Sequence, residues 1–114
     1  MTIYRRAWTM QLRDGAEAAY DAAHAAVWPE LAEQMLDSGI CRFHLFRSGL
    51  TVFAVQERSR PFPDASARPS EITRKWWRTM AGLMVTDETG QPIKTDLKEV
   101  FSLEPAPPPL ETSK

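Results

Sequence analysis

The chain begins with alternating side chains that predict a β-strand. Over residues 3–12, one set of alternate positions carries Tyr4, Arg6, Trp8, Met10 and Leu12. A period of two places these side chains on one side of an extended strand. Because this set is largely apolar, the strand is expected to have one buried face.

A long helix is predicted next, ending at about Ser38. Asp14 is placed to cap its first turn, and Gly39 is placed to end it. Pro29 interrupts this helix, because proline lacks a backbone N–H and clashes with the preceding turn. We therefore expect either a kink near Trp28 or a restart in which Pro29 takes the first-turn position of a second helical segment.

The middle of the chain predicts a β-hairpin followed by another helix. Residues 40–47 and 50–58 read as strands rich in Phe, Leu and Val, joined across a tight turn at Ser48-Gly49. After a proline-containing loop at 60–69, helical spacing returns from Ser70 to Leu83, with Ser70 as the candidate cap. The polar residues 86–95 predict a loop. Over 97–103, apolar and polar residues alternate, which predicts a last strand.

The order of these elements is β-α-β-β-α-β, which is typical of the α+β ferredoxin-like fold with an antiparallel four-stranded sheet. If both helices cover one face, the other face needs a cover, and a second copy would complete a dimeric α+β barrel. The candidates for that open face are Trp8, Met10, Phe53, Val55 and Phe101, although a change of register would exchange some with helix-facing neighbours. Residues 1–103 form the predicted domain, and residues 104–114 are a proline-rich tail that is expected to be disordered.

Composition narrows the class of function. The 114 residues allow one domain, and 14 Lys+Arg against 15 Asp+Glu give a net charge of -1, so no nucleic-acid or membrane partner is expected. No apolar run is long enough for a membrane span or a signal peptide. A lone Cys41 favours a reduced, cytoplasmic location, with the thiol packed and inert in a strand.

Candidate chemistry is concentrated at Tyr20 and His24. Both belong to a stripe on one helical face that continues through Val27, Leu31 and Met35. An imidazole can donate or accept a proton near neutral pH, and a phenol one turn away can orient a ligand oxygen. From spacing alone, a core histidine bonded to Tyr20 or to a backbone carbonyl is the more common outcome.

The adjacent Trp76 and Trp77 point about 100° apart on a helix, so one is expected to pack inward and the other to line an edge or cavity. His44 is interpreted as structural or exposed, and Glu57 as a solvated residue at a strand end. The sequence shows no spacing typical of a zinc site, no glycine-rich phosphate loop and no nucleophile elbow. We therefore expect neither a metal nor a cofactor.

Three segments together carry a resemblance to a known family. The segment from Tyr20 to Leu31 resembles the Y-x-x-x-H-x-x-I/V-W-P-E-L stretch of the L-rhamnose mutarotases. Residues 75–80, with the later Met84, resemble their W-W-x-x-M block, and 97–103 match their closing L-x-E-V-F-x-L strand. The resemblance implies a ferredoxin-like subunit that dimerises through its sheets, and a metal-free sugar mutarotase.

The resemblance also implies roles for single residues. His24 matches the proton donor, and Tyr20, Trp76 and Trp77 match residues that contact the sugar. Phe43 stands where the family has a sugar-contacting tyrosine, and Arg42 where it has an asparagine. The expected monosaccharide is a 6-deoxy hexose such as L-rhamnose, with L-fucose or a close relative also open.

Other functions on the same fold stay open at this stage. A small cofactor-independent monooxygenase, or a haem-handling protein with His24 as axial ligand, would use the same inward stripe. A non-catalytic small-molecule binding module would bind sugar without exchanging anomers. A purely structural dimer gives no reason for Tyr20 and His24 to face inward.

Overall fold

The described part of the chain forms an antiparallel four-stranded sheet and three helices. The computed structural model describes residues 2–64 and 66–105. The elements are β1 (Tyr4–Gln11), α1 (Glu17–Ala25), α2 (Pro29–Asp37), β2 (Ile40–Ser48), β3 (Thr51–Arg58), α3 (Glu71–Ala81) and β4 (Thr95–Leu97). The strand order is β2-β3-β1-β4, which confirms the α+β class. Beyond residue 105, the predicted tail lies outside the described residues.

The predicted long helix is two helices, and Pro29 separates them. Pro29 is the first residue of α2, where its missing N–H would have no partner in any case. The carbonyl of Trp28 accepts from the backbone N–H of Leu31 at 3.0 Å and of Ala32 at 3.1 Å. The restart is thus confirmed, and it turns the chain immediately after the Tyr20–His24 helix.

The predicted cap at Asp14 is wrong. The N-cap of α1 is Ala16, which makes no side-chain capping bond. A turn precedes the helix instead, closed by the Ala16 N–H donating to the Arg13 carbonyl at 3.1 Å. At α3 the prediction is confirmed, because the Ser70 Oγ accepts from the Thr73 N–H at 3.2 Å.

The core lies between the helices and one face of the sheet. Its buried members are Trp8, Met10, Leu12, Ala16, Tyr20, Val52, Ala54, Met80 and Met84. The assignment of Trp8 and Met10 to the open face is therefore wrong. Phe53 and Val55 do lie on that face, since they pair with Thr9 and Ala7 rather than with the buried positions. A period of two shows which residues share a face, but not which face is covered.

The hairpin between β2 and β3 depends on Gly49. Its φ is +58°, and the described residues with positive φ are all glycines, so Leu50 keeps a negative φ. Glycine with positive φ at the first of two loop positions fits a type II′ turn, which matches the twist of the flanking strands. The predicted tight hairpin is confirmed.

The prediction of the last strand over 97–103 is wrong except at Leu97. β4 covers Thr95–Leu97, paired with residues 7–9 of β1. Val100, Phe101 and Leu103 are 77–85% exposed. The alternation of apolar and polar residues over 97–103 gives this segment an apolar side that a partner could cover. It does not require backbone hydrogen bonds to β1 in the same subunit.

Cys41 also differs from its prediction. It lies in β2 as expected, but its side chain is exposed rather than packed. β2 is an edge strand, and its pairing with β3 is irregular between Ile40 and Arg42. This irregularity at an edge leaves the thiol on the surface.

Gly39→Ala is expected to lower the free energy of unfolding by roughly 1–3 kcal/mol, because its backbone conformation is strained for any side chain. The φ of Gly39 is +108°, and a Cβ there would lie 3.3 Å from Nε of Arg60. Gly82→Ala is the matched control, since Gly82 has φ −72° and open space around it. Urea unfolding that showed equal stability for the two variants would contradict this account.

Candidate functional site

Tyr20 and His24 occupy one turn of α1 and are stacked on each other. Their ring centroids are 4.2 Å apart with an interplanar angle of 32°. Nδ1 of His24 lies 3.0 Å from the backbone carbonyl oxygen of Tyr20. Because a carbonyl only accepts, Nδ1 is the nitrogen that carries hydrogen. Nε2 is then the atom that can exchange a proton with a ligand.

An aromatic array connects His24 to the neighbouring helices. Trp76 of α3 meets His24 edge to face, with centroids 5.4 Å apart at 89°. Trp28, the N-cap of α2, meets Trp76 at 4.9 Å and 90°. Edge-to-face contacts of this kind are favourable and directional. Tyr20, His24, Trp76 and Trp28 therefore form a continuous series of rings, which fixes the orientation of the imidazole.

The other two predicted sugar contacts lie outside this array. Phe43 is on the helix-facing side of β2, and its ring lies 6.0 Å from Trp8 rather than beside His24. Trp77 is half-buried, and it makes no ring–ring contact within the described part of the chain. One of the two adjacent tryptophans is expected to pack inward, and this is confirmed for Trp76, which packs against the core.

A cleft opens between α1 and the strands β2 and β3, beside the two stacked rings. Its volume is about 280 Å³, and its lining residues are Tyr20, Asp21, His24, Ala25, Leu45, Phe46, Arg47 and Val52. This is near the lower end of the volumes of small-molecule pockets. An imidazole, a phenol, a charged pair and an apolar wall thus share one small space.

Tyr20 is neutral at physiological pH. Its side chain is buried, with 4% of the residue exposed. Burial, with a smaller contribution from the nearby charge of Asp21, raises the pKa of Tyr20 to about 12. The hydroxyl therefore keeps its proton and can act as a hydrogen-bond donor or acceptor.

Asp21 and Arg47 are paired at the cleft. Nε of Arg47 donates to Oδ1 of Asp21 at 2.8 Å, and Nη2 donates to Oδ2 at 2.5 Å. The side-chain hydrogen bonds from Arg47 hold the pKa of Asp21 below its usual range. The carboxylate is thus charged at neutral pH, and the pair connects β2 to α1.

Three other polar residues, Arg42, Glu57 and His44, lie on the opposite face of the sheet. Arg42 has its Nε 3.7 Å from Oε1 of Glu57, and Glu57 also accepts from Nε of Arg5 at 2.7 Å. Arg42 therefore does not turn into the cleft. His44 is exposed on the same face, as predicted.

The sequence analysis did not predict the contacts of Trp28, Trp8 and Lys94. Trp28 had a detectable signal, since it directly precedes the proline that starts α2. Trp8 was assigned to the wrong face, yet its Nε1 is buried without a hydrogen-bond partner among the described residues. The Lys94 ammonium lies 4.9 Å from the centroid of the Trp8 ring, a contact that the polar loop sequence does not indicate.

The described residues, 2–64 and 66–105, contain neither a metal-binding cluster nor a helix suited to span a membrane. No group of three or more His, Cys, Asp or Glu side chains there is arranged to hold a metal ion. No helix in the same ranges has the length and apolar character needed to cross a membrane.

Comparison with known proteins gives one consistent result. A family model described as L-rhamnose mutarotase matches residues 5–103. An L-rhamnose mutarotase of Flavobacterium johnsoniae is 36% identical over 102 residues, covering 88% of this chain and 95% of that protein. One from Rhizobium johnstonii is 36% identical over 105 residues, covering 90% and 99%. The crystal structure of an L-rhamnose mutarotase from Formosa agariphila has a TM-score of 0.78 at 34% identity, covering 89% of this chain and 99% of that one.

Tyr20→Phe is expected to reduce the loss of stability at alkaline pH. The phenol of the unfolded chain ionises near pH 10, before the folded phenol at about 12, so wild type loses stability as pH rises through this window. By pH 11 wild type should have lost about 1 kcal/mol more of its free energy of unfolding than Tyr20→Phe. Urea unfolding of both proteins at pH 8 and pH 11 measures it, and identical pH dependence would refute the burial effect.

Proposed function

Because the chain belongs to the L-rhamnose mutarotase family, we propose that it interconverts the α and β anomers of a 6-deoxy hexose such as L-rhamnose, with His24 as general acid and base. The observation that carries this proposal is the bond from Nδ1 of His24 to the Tyr20 carbonyl, which leaves Nε2 for the sugar. Sugar anomer exchange is the activity of the family, and no contact in the site favours a monooxygenase, a haem protein or a non-catalytic binding module.

The reaction requires only proton movement. Protonated His24 donates from Nε2 to the ring oxygen while the anomeric hydroxyl loses its proton to water, and the ring opens to the aldehyde. After rotation about the bond to the carbonyl carbon, the ring closes on the other face by the reverse transfers. The two anomers have the same oxidation state, so the reaction needs no redox cofactor.

Tyr20 and the aromatic residues would orient the sugar. The neutral phenol of Tyr20 can donate a hydrogen bond to the carbonyl oxygen of the open form. Trp76 supports the imidazole through its edge contact. We assign Trp76, Trp77 and Phe43 as sugar contacts from their match to the family motifs, since flat rings suit the C–H surfaces of sugars.

The preferred sugar could differ from L-rhamnose. Phe43 provides a ring without a hydroxyl, and an apolar wall discriminates weakly between isosteric sugars. Arg42 does not compensate for the missing hydroxyl, because it lies beside Glu57 on the opposite face of the sheet. L-fucose and other 6-deoxy hexoses are therefore included in the proposed substrate class.

We also propose that the subunit is ferredoxin-like and forms a homodimer through its open sheet face. The order β2-β3-β1-β4 supports this fold. Phe46 and Phe53 are paired across β2 and β3 on that face and are 62% and 38% exposed. With Leu97 and the exposed segment 100–103 they give an apolar surface that a second copy would bury.

A reducing, cytoplasmic location is the remaining part of the proposal. It is supported by the lone Cys41, whose thiol is free and exposed.

His24→Ala is expected to lower the catalysed exchange rate about 10²- to 10⁴-fold, because it removes the general acid. Tyr20→Phe should cost less, since it deletes one hydroxyl and keeps the ring stacked on His24. Saturation-transfer NMR of L-rhamnose measures exchange above the spontaneous rate, and circular dichroism checks the fold. Full activity in a folded His24→Ala protein would exclude the assignment.

Phe53→Lys is expected to convert the dimer to a monomer, because it places a charge in the centre of the proposed interface. Leu36→Lys is the matched control, since Leu36 is 64% exposed on α2, away from the open sheet face. Light scattering at micromolar concentration should show a dimer for wild type and for the control. A monomeric wild type, or a dimeric Phe53→Lys protein, would refute the interface.

A further inference from the structure

Asp21 and Arg47 line the same cleft as the catalytic imidazole. Asp21 precedes His24 by three residues on α1, which places both side chains on one helical face. Arg47 reaches the cleft from the end of β2, and both charged residues belong to the lining of the 280 Å³ space that contains Tyr20 and His24. Any molecule that fills this space meets the ion pair.

We propose that Asp21 and Arg47 bind a hydroxyl group of the sugar remote from the anomeric carbon, and so determine which sugars are accepted. This inference rests on the proposed function, because it places the anomeric centre at His24. It assigns substrate contacts to two residues to which the family resemblance gives no role, because Asp21 is at an unspecified position of the motif and Arg47 lies outside the matching segments.

The hydrogen-bonding capacity of the pair matches a hydroxyl group. A guanidinium has five N–H donors, and Arg47 uses three of them, two toward Asp21 and one toward the Gly49 carbonyl at 2.8 Å. Each oxygen of Asp21 accepts one bond from Arg47, which leaves further lone pairs. Unused donors and acceptors therefore lie side by side, and a hydroxyl needs one of each.

The pair is also accessible and held in place. Its side chains are 28% exposed for Arg47 and 53% exposed for Asp21, so a ligand can reach both. The carbonyl of Gly49 holds the guanidinium from the hairpin turn. A group that is already oriented loses less conformational entropy on binding.

The composition of the cleft favours a neutral sugar with an apolar part. The apolar part of the lining is formed by Ala25, Leu45, Phe46 and Val52, which suits C–H faces and a 6-methyl group. Because the carboxylate of Asp21 neutralises the guanidinium of Arg47, the pair has no net positive charge to attract a phosphate or carboxylate on the ligand. The geometry thus points to an unphosphorylated deoxy sugar rather than a sugar phosphate.

The test compares Arg47→Met and Asp21→Asn with wild type in saturation-transfer NMR at a series of L-rhamnose concentrations. Each variant should raise the sugar concentration for half-maximal exchange roughly tenfold or more, because a hydrogen bond to a charged group is lost. The maximal exchange rate should change less than about threefold, since His24 is retained. Arg74→Met is the matched control, as it removes another exposed ion pair, from Nη2 to Glu71 at 3.7 Å, and should leave both values unchanged.

Deoxy sugars separate sugar binding from a purely structural role. Among 2-, 3- and 4-deoxy analogues of L-rhamnose, the one that lacks the bound hydroxyl should give the same half-maximal concentration with wild type and with Arg47→Met. A general loosening of the cleft would weaken all the analogues alike, which would overturn the proposal. So would a folded Arg47→Met or Asp21→Asn protein with the half-maximal concentration of wild type.

Binding measured without catalysis separates this inference from the proposed function. Titration of L-rhamnose by calorimetry should show weaker binding to Arg47→Met than to wild type. If wild type binds in this way but does not accelerate exchange, the proposed function fails and the binding site stands. If wild type accelerates exchange and the variant binds equally well, the binding site fails and the proposed function stands.

Discussion

The packing of Tyr20 beneath α1 is the contact on which the site depends. Its ring is part of the same buried core as Trp8, Val52 and Met80, so it fixes the rotation of α1 over the sheet. Its backbone carbonyl holds Nδ1 of His24, and its ring stacks on the imidazole. One residue therefore anchors the helix, sets the hydrogen on the imidazole and contributes a neutral phenol to the cleft.

Pro29 contributes to this arrangement because it starts α2, so that α1 and α2 do not form one continuous helix. The chain turns after His24, and the restart at Pro29 places Trp28 at the N-cap of α2. From there Trp28 reaches Trp76 of α3, which in turn meets His24. A continuous helix would have carried Trp28 farther along the axis of α1. The aromatic array therefore depends on the break between α1 and α2.

The two faces of the sheet differ in burial and composition. The helix-facing side is filled by the core, and Ala54 is fully buried between Trp8 and Leu45 in the strand pairing. A small side chain there is consistent with the indole of Trp8 extending across β3 to Phe43. The other side combines exposed rings with the Arg5–Glu57 ion pair, and it is the side on which the proposed dimer would form.

Much of the secondary structure could be predicted from the sequence, because it depends on local physical chemistry. Periodicity identified the elements and the inward stripe of Tyr20 and His24, and the backbone limits of Pro29 and Gly49 placed the helix restart and the hairpin turn. These effects act over a few residues, so they can be read along the chain. Tertiary structure decided that Trp8 and Met10 face the helices, that β4 ends at Leu97, and that Arg47 meets Asp21, 26 residues away. Which face is covered and which distant side chains meet depend on packing between elements, and a repeat of two or 3.6 residues carries no information about that packing.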